Sequence, residues 1–592
     1  MKQAVEKVPA WIWILLIGFV VWGFTLTFDF VWDDFPMIVN NPSLLQWKTL
    51  VSGWSHDFWM LHEIPQVSGY WRPMATVVHV LISSIFGKSP WVFHLLNISL
   101  HLLVTWFFYT FLTHIGMVRW KWIPVLFFLV HPVNVETVSF VSAIPDLLCA
   151  CFGWSAIAFW TNPKKLTTKK ILITFLLLSC SFLSKESGVF FGVFIIMIDV
   201  FFSSAENKFL KHRLLYFLIA IGIIFYALVH MMITSGVGIR GLWGETLGLH
   251  LATVCKLFGF QLVLLILPLH ASPTRDFALV TSYLDVGFWI GLLLFTSMIA
   301  VFFLFARKKS PWAFVILFYL VFWFPISNVF PAEGLIADRY LYIPCMAFAF
   351  GLGIFANRYE KLPTWSLIVF VVLGLWSSAQ SLIWRNQSAL WRHAIVSSPH
   401  SSVAWNEWGN ILLIDKKYDE AHEAYEKAVV LQPKYQDASF NSALSLFLPG
   451  KLDEAKSQLE KHLGRYPNDA RAYDLLGTLY ESVHDYERAM QMTNQAVSLA
   501  PNQWKYRYNL AGTYLQLRKY DLAIEQLQET LKIVQNRFEV WKNLAAAYCQ
   551  NADYRSCLDT YQEFIKRFPE KASEVETQML QTQKIIQLTE GS

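Results

Sequence analysis

Two adjacent carboxylates, Asp33 and Asp34, follow directly on the first long apolar run of the chain, within Phe30-Val31-Trp32-Asp33-Asp34. Neighbouring acids repel, which tends to raise the pKa of one of them and suits the pair to proton abstraction or to holding a divalent cation. Further charges recur at the borders of apolar runs: Arg72 in Tyr70-Trp71-Arg72-Pro73, His131 and Glu136, Asp146 behind Pro145, the pair Lys185-Glu186, and Arg339 in Ala337-Asp338-Arg339-Tyr340. Placed in mid-bilayer, an Asp, Lys or Arg costs roughly 2.5–3.5 kcal/mol, so residues of this kind line a cavity, pair up or sit near the surface. Bland readings compete: a solvated loop start for the acids, a snorkelling ion pair for Lys185 and Glu186. At headgroup depth, however, one substrate group is always at hand, the phosphate of a lipid. An enzyme that uses a lipid-phosphate-linked sugar needs a carboxylate to take a proton from the acceptor hydroxyl. It also needs a cation, or a metal, to offset charge on the departing phosphate. Asp33 or Asp34 fits the first role, and Arg72, Lys185 and Arg339 are candidates for the second.

The elements that must position these groups are membrane helices. The chain is 592 residues long, 55% hydrophobic and only 15% charged, against about 45–50% and 25% in soluble domains. Nearly all of the excess lies before about residue 385. A span needs about 20 apolar residues, and eleven are expected near 11–28, 91–112, 122–140, 146–161, 171–184, 187–202, 214–234, 284–306, 311–330, 341–356 and 364–384. Lys and Arg in short loops set orientation. Arg119 and Lys121; Lys164, Lys165, Lys169 and Lys170; Lys208, Lys211 and Arg213; Arg307 to Lys309; and Arg358 with Lys361 all fall inside if the N-terminus does. The acids and bases named above then collect on the outer face, with a long first outer loop over 29–90. Residues 245–268 are apolar too, but one more crossing there would put Arg307–Lys309 outside. An interfacial or re-entrant helix is expected instead. The net charge is only +5 and the basic residues are dispersed in loops, a pattern of topology rather than of nucleic-acid binding.

The remainder carries a 34-residue period, the length of a tetratricopeptide repeat (TPR). Trp405, Trp408, Gly409, Ala421, Tyr425, Ala428 and Pro433 open the register; Tyr473, Gly477, Tyr480, Ala489 and Pro501, then Trp541, Ala545, Tyr548 and Pro569, continue it. Five units are expected over 402–571, after a linker at 386–401 and before a capping helix and tail at 572–592. These signature residues serve stacking; the concave face of such a solenoid is what offers a surface for protein or peptide segments. Of seven cysteines, five lie in or near apolar segments as small core residues, while Cys549 and Cys557 could pair in an oxidising compartment. The fold class is therefore all-α: a polytopic helix bundle over 1–385, then a TPR solenoid. The compact loops favour a bacterial inner membrane with a periplasmic solenoid, the alternative being the endoplasmic reticulum with a luminal one.

The order of motifs resembles the transmembrane-and-TPR-containing O-mannosyltransferases and their bacterial relatives, of the GT-C class of lipid-linked-sugar glycosyltransferases. The resemblance rests on Phe30 to Asp34 with Asn41-Pro42, Tyr70 to Pro73, Phe93-His94-Leu95-Leu96-Asn97 with His101, His131-Pro132 with Glu136 and Val138, Lys185-Glu186-Ser187-Gly188 with Asp199, and Asp338 to Pro344. It implies a polyprenyl- or dolichyl-phosphate sugar donor, an inverting transfer to a protein hydroxyl, and Asp33 or Asp34 as base. It also implies that Arg72, His131, Glu136, Lys185, Glu186 and Arg339 line the substrate site. Ile144-Pro145-Asp146 stands where relatives carry an Arg before the aspartate, so no role is carried over to Asp146. The competing classes are a membrane-anchored TPR scaffold and a transporter. A scaffold needs fewer spans and no cluster of acids and bases, and a transporter concentrates its charges near the midplane of a repeated bundle.

Overall fold

In the computed structural model the described residues form helices and no strand; they are 8–590 except 62–67, 118–119, 164, 203–207, 235–240, 269–270, 332–333 and 362–364. Arg119 and Lys164 of the expected basic loops and the last two residues of the tail lie outside them, as do the side chains of Lys208 and Lys211. The chain divides into two compact units, Met1–Ser401 and Ser402–Ser592.

The principal helices of the first unit are α1 (Ala10–Trp22), α2 (Pro73–Phe86), α3 (Pro90–His114), α4 (Trp122–Val130), α5 (Val135–Ser139), α6 (Ile144–Thr161), α7 (Thr168–Ser184), α8 (Val189–Phe202), α9 (Lys208–Thr234), α10 (Leu247–Ile266), α11 (Val286–Arg307), α12 (Pro311–Trp323), α13 (Tyr342–Ala356), α14 (Trp365–Ser381) and α15 (Gln387–Ser397). Among the described residues eight helical segments are long and apolar enough to cross a membrane, nine if α4 and the segment after His131 count as one span bent by 47°. Of the eleven expected spans, those near 171–184, 187–202 and 311–330 form shorter helices. The apolar stretches at 171–184 and 187–202 are helical, but their helices have 17 and 14 residues, about 26 and 21 Å against a hydrocarbon core near 30 Å. The Lys185-Glu186 break between them is what shortens both.

α10 is the reverse case. Its 20 residues are apolar enough to cross, yet both of its ends meet the same end of the bundle. Near its start His250 bonds the Val329 carbonyl at 3.2 Å. Just past its end the Ala271 N–H donates to Gln380 at 2.6 Å and the His393 ring bonds the Ala271 carbonyl at 3.0 Å. It packs on α11 through glycines: a Cβ on Gly291 would fall 1.9 Å from the Cys255 carbonyl oxygen, so the backbones meet as small residues allow. The opposite end of the bundle gathers basic turns, where Trp120 donates to the Tyr359 carbonyl at 2.9 Å and Lys170 to that of Asn162 at 2.7 Å. There the buried Asp199 takes hydrogen bonds from Trp160, His212 and Tyr216. The 386–401 stretch, expected as a linker, carries α15, whose Trp391 packs edge-on against Trp32 in the first unit.

The second unit is five antiparallel helix pairs, α16 (Ser402–Ile414) with α17 (Tyr418–Leu431), α18 (Gln436–Phe447) with α19 (Leu452–Arg465), α20 (Ala470–Ser482) with α21 (Tyr486–Leu499), α22 (Trp504–Gln516) with α23 (Tyr520–Ile533) and α24 (Phe538–Gln550) with α25 (Tyr554–Arg567), closed by α26 (Glu576–Glu590). The small residues permit close pairing: Gly409 lies against the Tyr425 ring, where a Cβ would come within 2.6 Å. Each pair turns on one residue of positive φ, and Lys416, Gly450, His484, Arg518 and Ala552 hold that role at 34-residue intervals. Cys549 and Cys557 are disulfide-bonded across the last of these turns.

Candidate functional site

At the end of the bundle opposite the basic turns, charged side chains from seven separated segments of the chain converge. The first is the turn after α1. Trp32 adopts φ 49, a left-handed conformation that costs an L-residue roughly 1–2 kcal/mol. It is held there by stacking on Phe140 at 5.7 Å, by Trp391 at 5.4 Å and by its N–H bond to Gln387 at 3.2 Å. The two acids that follow sit in different surroundings. Asp34 is fully buried and accepts from the Val31 N–H at 2.9 Å, the Ser142 N–H at 2.8 Å and the Ser142 hydroxyl at 2.5 Å. Burial raises its pKa to about 7, against the opposing pull of the hydrogen bonds from Ser142 and Val31, with the Asp33 charge adding to the rise. Asp33 is only half-buried and lies within electrostatic reach of Arg339.

Four cation–carboxylate pairs surround this turn. Arg72, at the start of α2, forks onto Glu186 at 3.2 and 3.0 Å. Burial pushes the Glu186 carboxyl up, but the charge and hydrogen bonds of Arg72 outweigh it and hold the pKa below its ordinary value. Lys185 bonds Asp146 at 2.5 Å. Arg339 donates to Glu136 through its backbone N–H at 3.0 Å and through its guanidinium. Arg275, in the segment after α10, forks onto Asp338 at 2.6 Å through both nitrogens. The pairs belong to one field, since Arg339 is within reach of Asp146, Arg72 of Asp146, and Arg275 of Glu136. An open cleft beside them is lined by Asp146, Lys185, Arg339 and Tyr340, with Phe322 and Ile343 on its apolar wall. Lys185 and Arg339 face the Tyr340 ring at 5.5 and 5.4 Å. Charged heads on one wall and aromatic and aliphatic side chains on the other suit an anionic group attached to an apolar tail.

Of the residues marked in the sequence, Asp33, Asp34, Arg72, Glu136, Lys185, Glu186 and Arg339 come together here. His131 does not reach the cleft. It is 1% exposed, accepts from the Val133 N–H at 3.2 Å and packs on Phe127, so it caps the bend that carries Glu136. Arg275, Asp338 and Asp146 belong to the cluster although no role was read for them. The signal for Arg275 is its place in the short polar run Ser272 to Asp276 after an apolar helix; for Asp338 it is adjacency to Arg339. Among the described residues no three His, Cys, Asp or Glu side chains come together as a metal-binding group.

A tetratricopeptide-repeat pattern matches residues 412–479 and 482–569. Along most of its length the chain is similar to protein O-mannosyl-transferases. It is 24% identical over 432 residues to F38B6.6 of Caenorhabditis elegans, covering 69% of this chain and 60% of that one. It is 26% identical over 496 residues to human TMTC1, covering 71% and 55%. It is 24% identical over 595 residues to human TMTC3, covering 85% and 62%. The likeness takes in both the apolar part of the chain and its repeats. The chain spans about 55–62% of the length of these relatives. Among solved structures it is similar to the MamA protein (18% identity, TM-score 0.27, 30% of this chain and 96% of that one). A second is YrrB, described as a TPR protein with an unusual peptide-binding site (18%, 0.27, 32% and 97%).

Proposed function

We propose that the protein is a membrane glycosyltransferase that moves a sugar from a polyprenyl- or dolichyl-phosphate carrier to a protein hydroxyl on the non-cytoplasmic side. The observation that carries this reading is the cleft lined by Lys185 and Arg339, with the half-buried Asp33 within electrostatic reach of that arginine. Asp33 takes the proton of the acceptor hydroxyl as its oxygen attacks the anomeric carbon. The bond from that carbon to the phosphate oxygen breaks, and the lipid phosphate leaves with the electron pair. Arg339 and Lys185 offset the charge that builds on the leaving oxygen, where preorganised charges act most strongly. Inversion at the anomeric centre follows from a single displacement. Asp34 positions: its bonds to Val31 and Ser142 fix the turn from which Asp33 projects. The other two ion pairs, Arg72–Glu186 and Arg275–Asp338, hold the walls, and breaking either leaves a poorly solvated charge.

The sugar is mannose in this reading, by likeness to the relatives' names, and the concave face of the TPR solenoid recruits the acceptor. The non-cytoplasmic side is supported by the basic turns opposite the site and by the disulfide Cys549–Cys557, since such bonds persist in oxidising compartments. The test is transfer of labelled mannose from its polyprenyl-phosphate carrier to a Ser/Thr-containing protein, with the full chain in lipid nanodiscs. Asp33→Asn is expected to abolish transfer while thermal unfolding stays within a few degrees. Full activity of that variant ends the assignment of the base, and no transfer by the intact protein from any lipid-phosphate sugar leaves a TPR scaffold as the function.

A further inference from the structure

Beside the Arg72–Glu186 pair lies a polar spot that the reaction above does not use. Tyr226 on α9 is 8% exposed, its ring stacked on Trp71 at 5.6 Å and edge-on to Phe182 at 6.5 Å. Its hydroxyl, within electrostatic reach of Glu186 and Arg72, has no hydrogen-bond partner. One helical turn on, His230 packs against the Tyr226 ring at 5.7 Å, and its Nε2 is also unpartnered. Residues four apart share a helix face, so the two side chains lie on the same side of α9. The surroundings make this unexpected. Only 17% of the spanning part of α9 is buried, and the neighbours Phe225, Leu228 and Met231 are 65, 58 and 64% exposed on its apolar outside. A phenylalanine at 226 would stack on Trp71 equally well without leaving a buried hydroxyl unbonded. The same holds for an apolar residue at 230.

We propose that Tyr226 and His230, with Arg72, form a subsite for the phosphate head of a membrane lipid, which reaches it from the bilayer flank of α9. Every group offered is a hydrogen-bond donor: the phenol O–H, the imidazole N–H and the in-plane guanidinium N–H groups that Glu186 leaves. Such a set fits the oxygens of a phosphate mono- or diester. The exposed apolar side chains beside it fit an isoprenoid tail. The inference rests on the proposed lipid-phosphate donor, and it places the donor's first contact at the membrane side of the ion-pair cluster, one step from the Lys185–Arg339 cleft.

The test measures binding rather than turnover: labelled polyprenyl phosphate and the full chain in nanodiscs of neutral phospholipid, with inorganic phosphate and unphosphorylated polyprenol as competitors. Tyr226→Phe and His230→Gln are each expected to weaken binding about tenfold, as loss of a hydrogen bond to a charged group does. Neither competitor is expected to displace the lipid. Unchanged binding in both α9 variants overturns the subsite. Displacement by millimolar inorganic phosphate also overturns it, in favour of a free-anion site. Were Tyr226→Phe to unfold at lower temperature, His230→Gln alone decides, because His230 is only partly buried. Failure of the sugar-transfer assay would refute the enzyme reading, whereas the binding result stands or falls separately.

Discussion

Asp34 is enclosed by Val31 and Ser142, while Asp33 is half-buried and within electrostatic reach of Arg339. The enclosed acid has a testable pH signature. Its pKa is raised by burial from about 3.8 to about 7 in the folded protein. The neutral form is therefore favoured on folding, so its contribution is full below about pH 4 and is lost as pH rises toward 7. Relative to Asp34→Asn, the intact protein should lose stability across that window, by an amount on the order of a few kcal/mol. Thermal unfolding of both at pH 4.5, 6 and 7.5 checks it, and parallel curves would mean that Asp34 is ionised throughout. A second expectation concerns Asp338, whose side chain is 4% exposed and bonded by Arg275. Arg275→Met leaves that carboxylate buried and unpaired, which costs about 3–5 kcal/mol, while Arg275→Met with Asp338→Leu should recover much of the loss. Both acids of the first turn were legible in the sequence, because a charge pair at the end of an apolar run is conspicuous. Which of them is closed in was not, since the answer lies with Ser142, 108 residues away. Arg275 escaped for the same reason: its partner is 63 residues distant.

Helices and repeats were the most legible elements. Each segment expected to span is helical in its described residues, because a long apolar run has no other way to satisfy its backbone in lipid. The number of full-length spans was less so. Hydropathy reads across Lys185-Glu186 and across His131-Pro132, where the backbone breaks or bends, and it cannot tell a crossing helix from α10, whose two ends face the same way. In the solenoid the period was clear, but the backbone device that maintains it was hidden. Four of the five left-handed turn positions carry Lys416, His484, Arg518 and Ala552, and only Gly450 is the residue that geometry favours. Arg518→Gly should therefore stabilise the solenoid by about 0.5 kcal/mol, the relief of strain slightly exceeding the added unfolded-state entropy. Gly450→Ala should destabilise it by about 1 kcal/mol. Chemical denaturation of the full chain, followed by a probe attached at the solenoid's exposed Ser498, would read both. Opposite signs are the expected result, and equal signs would show that the turns are not strained.

At the scale of the molecule, the proposed chemistry and the proposed acceptor capture fall on two compact units that part at Ser401–Ser402. All four ion pairs around the first turn belong to the first unit. The second offers five stacked helix pairs with a matched repeat pattern and none of that cluster. In such a division the solenoid acts on the acceptor by raising its effective concentration, without touching the sugar. Removal of residues 402–592 should then leave transfer to a short Ser/Thr peptide nearly unchanged in kcat. Transfer to a folded protein acceptor should fall on the order of tenfold or more in kcat/KM, carried by KM, because binding that is equal in ground and transition states is lost first. The kinetic split separates this from damage to the bundle, which would lower kcat for peptide and protein alike. Equal rates on protein acceptors with and without the solenoid would assign it to docking of a partner protein rather than to acceptor capture.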